Sequence, residues 1–123
     1  MQYAILCYND EKVVSAWSRE EDAAVMDRLA AVQEDLEAQG KLGPVVRLLP
    51  TTAATTLRKD REPPLVLDGP FAETKEQLLG FYLVECEDLE EALEVARALG
   101  RANPGGAYEI RPVGLFQPGK APP

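Results

Sequence analysis

Leu78–Gly100 reads LLGFYLVECEDLEEALEVARALG, and the fold turns on how this stretch divides. Leu78 to Glu85 is a strand-length apolar run carrying two aromatic residues. It does not alternate with polar residues, so a strand formed here must be covered on both faces. Gly80 within it predicts a bulge or a close approach of another backbone. The character changes at Asp88-Leu89-Glu90-Glu91, where Asp88 is placed to cap a helix. Leu89, Ala92, Leu93, Ala96 and Leu99 then form one helical stripe, and Gly100 is placed to end it.

The same strand-then-helix grammar recurs upstream. Residues 2–8, QYAILCY, form a strand apolar on both faces, and 10–14 read as a loop. Ser18-Arg19-Glu20-Glu21 fits a capping box. The helix behind it carries Val25, Leu29, Val32 and Leu36 on one side and ends at Gly40 in a left-handed cap. A second strand is expected over 45–49, closed by Pro50, and a hairpin over 51–58 and 64–67 around a charged turn. Downstream, 103–106 is a turn and 107–113 a last strand, with Tyr108 and Ile110 on one side and Glu109 and Arg111 on the other. Pro112 suits an edge.

The order of elements predicts an α+β fold: a ferredoxin-like βαββαβ sandwich with an extra hairpin. Helices cover one face of such a sheet only. Two strands that are greasy on both faces therefore imply a second copy on the other face, a homodimer. In this topology Cys7 and Cys86 fall at opposite ends of neighbouring antiparallel strands, too far apart for a disulfide. Residues 117–123, QPGKAPP, are expected to be a loose tail.

Composition narrows function by exclusion. The 123 residues suit one domain, and 21 acidic against 13 basic residues give a net charge of −8. That balance argues against nucleic acid or an anionic membrane as partner. The apolar runs are too short to span a membrane, and the N-terminus lacks a basic leader, so a cytoplasmic protein is expected. Histidine is absent, which removes His-dependent catalysis and the commonest transition-metal ligand. No phosphate-binding glycine loop, zinc-type cysteine cluster or EF-hand spacing occurs, so no cofactor and no metal are expected.

Four segments together resemble a known family: the opening QYAILCYND, the block LDGPFAETKEQLLGFYLVE (Leu67–Glu85), DLEEALEVA and the closing YEIRPV. They are similar to the YCII-related proteins, and within them the DGPF subgroup, over residues 1–116 as a single domain. The resemblance implies a dimeric α+β barrel made of two ferredoxin-like protomers. It implies no single activity. Some members share their fold with small cofactor-free isomerases and monooxygenases, and some DGPF proteins occur alongside sigma factors. Other YCII relatives carry a His–Asp pair proposed as catalytic, a role this histidine-free chain cannot take over.

Candidate site residues centre on the DGPF block. Asp68 is either an Asx-turn residue beside a positive-φ Gly69 or a carboxylate acting as base or acceptor. Phe71 is a plug over the core or a ring on which a ligand stacks. Thr74 and Lys75, with Glu73 and Glu76, form a solvated turn or a cluster that orients a polar or anionic ligand. Tyr3, Tyr8, Tyr82 and Tyr108 fall on strands, where a tyrosine-lined interior can hold a small molecule, and Tyr82 stands nearest the block. Cys7 reads as core, since no neighbouring cation would activate its thiol.

Two functions fit. One is a small-molecule site in a dimer, built on Asp68, Phe71, Thr74, Lys75 and Tyr82, with cofactor-free proton transfer, isomerisation or oxidation as its chemistry. The other is a non-catalytic accessory module that binds a ligand or a protein.

Overall fold

The computed structural model describes residues 1–120. Strand β1 (Gln2–Asn9) is followed by a short helix α1 (Glu11–Ser15) and the long helix α2 (Arg19–Ala38). Then come β2 (Leu42–Arg47), a 3-10 turn (Thr51–Ala53), β3 (Thr55–Arg58) and β4 (Leu65–Asp68). Strand β5 (Gln77–Glu85), helix α3 (Leu89–Ala102) and β6 (Ala107–Pro112) complete the chain. The main sheet runs β2-β5-β1-β6 with every neighbouring pair antiparallel, and β3 and β4 form a separate two-stranded sheet. This α+β arrangement is compatible with a ferredoxin-like fold carrying an inserted hairpin.

The helices form where the caps demand. The Ser18 hydroxyl oxygen accepts from the Glu21 amide at 3.0 Å and the Glu21 carboxylate accepts from the Ser18 amide, the reciprocal box expected from sequence. Gly40 closes α2 at φ +70°, where a side chain would be strained. Asp88 caps α3 by accepting from the Glu91 amide at 2.9 Å. Both long helices lie on one face of the sheet. Val25, Leu29 and Leu36 from α2 and Ala92, Val95, Ala96 and Leu99 from α3 pack there over Tyr3, Ile5, Tyr82 and Val84.

The other face stays open. Ala4, Leu6, Tyr8, Val46, Phe81 and Leu83 alternate with the buried positions and are only half-buried. The strands are apolar on both sides, as the sequence indicates, and among the described residues no element lies over this second side.

Gly80 fulfils both roles its position suggests. Cys7 pairs with Gly80 and Tyr8 with Leu78, which leaves Leu79 as a bulge whose carbonyl accepts the Leu48 amide at 2.8 Å. A Cβ on Gly80 would sit 2.2 Å from the Val46 carbonyl oxygen. The cysteines are both free and stand at opposite ends of the sheet, Cys7 across from Gly80 and the Cys86 amide on the Met1 carbonyl.

Several boundaries differ from the sequence reading. Residues 11–15 are helical rather than a loop, because the Asp10 carboxylate accepts the Lys12 amide and starts a turn. Strand β2 occupies Leu42–Arg47 rather than 45–49. It lies on a sheet edge, and the irregularity between Leu42 and Val45 accommodates Pro44 without breaking the ladder. Helix α3 runs past Gly100 to Ala102. Its buried stripe includes Val95 and Ala102, while Leu89 is exposed and Leu93 half-buried. Burial of Leu99 and Ala102 outweighs the roughly 1 kcal/mol cost of a helical glycine. Residues 117–120 of the expected tail have no regular structure, and 121–123 lie outside the described residues. No helix of the described residues is long and apolar enough to cross a membrane.

The β3–β4 hairpin projects from the end of the sheet where β1 finishes. Its root is tied down by Glu11, whose carboxylate accepts from the Thr51 amide at 2.7 Å and from the Thr51 hydroxyl. The Glu11 amide in turn donates to Gln77 Oε1 at 3.0 Å. Glu11→Ala is expected to cost about 2 kcal/mol, the scale of charge-assisted bonds. Hydrogen exchange should then accelerate across 51–68 and stay unchanged in β1. Equal acceleration in both would show that Glu11 stabilises the fold globally and does not anchor the hairpin.

Candidate functional site

A cleft of about 120 Å³ opens between α2 and the helix-facing side of the sheet. Its floor is Cys7, Gly80, Tyr82 and Tyr108, and its walls are Trp17, Val25, Met26 and Leu29. The sequence makes this space directly. Gly80 lies in phase with Tyr82 and Val84, which face the helices, but contributes no side chain to fill the gap beneath α2. Trp17, held between α1 and the α2 cap, closes one side.

Polar groups in the cleft are few and neutral. The Tyr108 Oη accepts from Asn103 Nδ2 at 3.3 Å. Gln33 on α2 adds a neutral amide to the lining alongside Tyr82. Burial pushes the Cys7 thiol up to about 12. Burial also lifts Tyr108 to about 12, against the lowering effect of the Asn103 bond. Tyr82 is raised as well, first by burial, then by the neighbouring Cys7, with the polar Gln33 side chain opposing. Charge appears only at the mouth, where Arg47 Nη2 lies 3.2 Å from Asp22 Oδ1 and Arg47 Nη1 rests on Met26 Sδ at 3.4 Å.

These shifts make a pH prediction. A thiol of reference value 9.0 held near 12 resists ionisation in the folded state. The same holds for a phenol of reference value 10.0 held near 12. The unfolded chain therefore loses these protons first, so their contribution is intact below about pH 9 and fades as pH rises toward about 12. Thermal unfolding should show a melting temperature that falls over that window, and falls less steeply in Cys7→Ala. An identical alkaline slope in the variant would contradict the assignment to Cys7.

Of the five residues on which the sequence builds a site, Asp68, Phe71, Thr74, Lys75 and Tyr82, only Tyr82 lines this cleft. Tyr8 and Tyr108 from the strand tyrosines line it too, as does Cys7, but Tyr3 does not. Asp68 ends β4 and is exposed. The turn beside it is held through Gly69, which sits at φ +104°, donates its amide to the Ala54 carbonyl at 2.8 Å and accepts the Thr56 hydroxyl at 2.8 Å. Phe71 does not plug the core. It is exposed, with the Arg58 guanidinium 5.4 Å from its ring centroid, because the hairpin stands off the main sheet and leaves no core beneath it. Thr74 donates its hydroxyl to the Glu76 carbonyl and accepts at its own carbonyl from Gln77 Nε2. Lys75 is exposed. Asp68, Phe71, Thr74 and Lys75 thus belong to the hairpin and its return loop, and a single protomer does not gather them around Tyr82.

Sequence reasoning passed over Trp17, Gln33, Arg47 and Asn103. Gln33 had a legible signal: a polar residue among the apolar positions of α2, spaced four from Leu29 and three from Leu36. The sole tryptophan beside a capping box was another. The Arg47–Asp22 pair joins residues 25 positions apart and leaves no local trace.

Comparison with known proteins places relatives beside this geometry. The model of the YCII-related domain matches residues 1–117. An uncharacterised protein of Rhizobium meliloti (strain 1021) is 62% identical over 123 residues, covering 99% of each chain.

Proposed function

We propose that this chain, which belongs to the YCII-related family, is a small-molecule-binding protein whose site is the cleft beneath α2. The carrying observation is the gap at Gly80, apolar on its walls and polar on its floor, set beside the buried core. An apolar recess with a few placed donors is the usual form of a ligand site. Binding is the activity supported. Cofactor-free proton transfer, isomerisation or oxidation would need a base facing the ligand, and Asp22, the carboxylate in the lining, is engaged by Arg47.

The dimer belongs to the same proposal. The half-buried outer face presents Leu6, Phe81 and Leu83 beside a Glu109–Arg111 pair at 3.6 Å, a combination that can match its own copy across a twofold axis. Asp68, Phe71, Thr74 and Lys75 are assigned the rim. Their loop is rooted at the cleft's end of the sheet through Gln77 and Glu11.

A thermal-shift screen of metabolites tests the site. Hits should be lost in Met26→Trp, which fills the mouth from an exposed position. Hits that survive that change would count against the cleft, and hits lost in Asp68→Asn or Lys75→Ala would bring the hairpin into the site. A second reading, a non-catalytic module that docks a protein, draws on the exposed Leu57, Val66, Leu67 and Phe71. A single stoichiometric partner captured from lysate, with no ligand response, would favour it.

A further inference from the structure

The lining of the cleft specifies what it can hold. We infer that the site takes a neutral, single-ring carbonyl compound whose oxygen is received by the phenol hydrogens of Tyr82 and Tyr108. This rests on the small-molecule reading above and narrows it to a class.

Size sets the first bound. The cleft measures about 120 Å³. An enclosed apolar cavity of about 150 Å³ holds benzene, so this smaller but open cleft is limited to one ring, with any substituent toward the open side. The walls of Trp17, Val25, Met26 and Leu29 suit a flat apolar body.

Charge sets the second. Every polar group on the floor is uncharged, and the two ionised groups at the mouth already neutralise each other. A carboxylate or an ammonium entering the recess would lose its hydration and find no free counter-ion. The net charge of −8 adds a mild bias against anions.

Hydrogen-bond polarity sets the third. Asn103 donates to the Tyr108 oxygen. The Tyr82 hydroxyl has no hydrogen-bond partner among the described residues and is not sealed away as a buried unpaired group, so its hydrogen is free for a ligand. With its oxygen receiving an amide hydrogen, Tyr108 presents its own hydrogen to the cleft, and the Tyr82 hydrogen is engaged nowhere else among the described residues. Phenols are protonated around neutral pH, and burial raises both of these further. The floor therefore offers donors, and its natural complement is an acceptor such as a carbonyl oxygen. A ligand lacking one would leave these hydrogens unpaired.

Four probes of matched size test the class: acetophenone, benzoate, benzylammonium and ethylbenzene. Each is titrated into the protein while the Trp17 indole and the Leu79, Gly80 and Gly105 amides are followed by two-dimensional NMR. Acetophenone is expected to bind at least about tenfold more tightly than the other three. In the Tyr82→Phe/Tyr108→Phe protein its affinity should fall to that of ethylbenzene. Benzoate or benzylammonium binding as well as acetophenone would overturn the class while leaving the site standing. Unchanged acetophenone affinity in the double variant would overturn the role of the phenols. No response at these resonances from any probe would overturn both the class and the cleft reading on which it rests.

Discussion

Gly80→Ala is expected to destabilise the protein by about 3 kcal/mol or more, the upper range for forcing atoms into a packed interior. The added methyl would stand 2.2 Å from the Val46 carbonyl oxygen. That oxygen is main chain on the neighbouring strand and cannot rotate aside, so relief requires β2 and β5 to separate. The bulge at Leu79 and its bond from Leu48 would be disturbed with them. Gly40→Ala makes the control. Its Cβ would meet nothing within 4 Å, and only the φ of +70° is unfavourable. That costs about 1–2 kcal/mol. Urea unfolding of both variants measures the difference. Equal losses would mean that β2 does not press on Gly80 as described.

Leu6→Glu and Phe81→Glu are expected to abolish self-association. Both residues sit on the open side of the sheet, half-buried in one protomer. A carboxylate at the centre of an apolar interface typically costs about 2 kcal/mol or more per site, roughly thirtyfold in dissociation constant, and a twofold axis places it there twice. The wild-type protein should sediment at twice the chain mass at micromolar concentration. The variants should sediment at the chain mass and keep their far-ultraviolet dichroism, because each protomer's own core lies on the other face. A wild-type protein that sediments as a single chain would remove the second copy and leave the apolar face to another partner.

The main sheet was legible because its signals are local. Ser18 with Glu21, Asp88 with Glu91, and Gly40 each fix a helix end through bonds spanning three or four residues. The unbroken apolar runs of β1 and β5 announced central strands. What misled was a glycine read by habit. Gly100 is an end signal only when the apolar stripe stops there, and Leu99 and Ala102 carry it on. The site was less legible for a related reason. The DGPF block is conspicuous in sequence, yet its Asp68, Phe71, Thr74 and Lys75 are exposed on an excursion from the sheet. The cleft is made by residues distant in sequence, Trp17, Gln33, Arg47, Gly80 and Tyr108. Tyr82 stood out in sequence only for following Gly80 on a strand beside the DGPF block; that it faces the helices is set by the strand's phase, which the structure shows.

The central claim is that the space at Gly80 is a ligand site, and mapping where bound molecules perturb the amide spectrum tests it most directly. Hits from a small-molecule library should give saturable shifts clustered on Trp17, Leu79, Gly80, Tyr82 and Tyr108, and the cluster should vanish in Met26→Trp. Shifts confined to the hairpin over 65–75, spread along the open sheet face, or absent for every compound would contradict it.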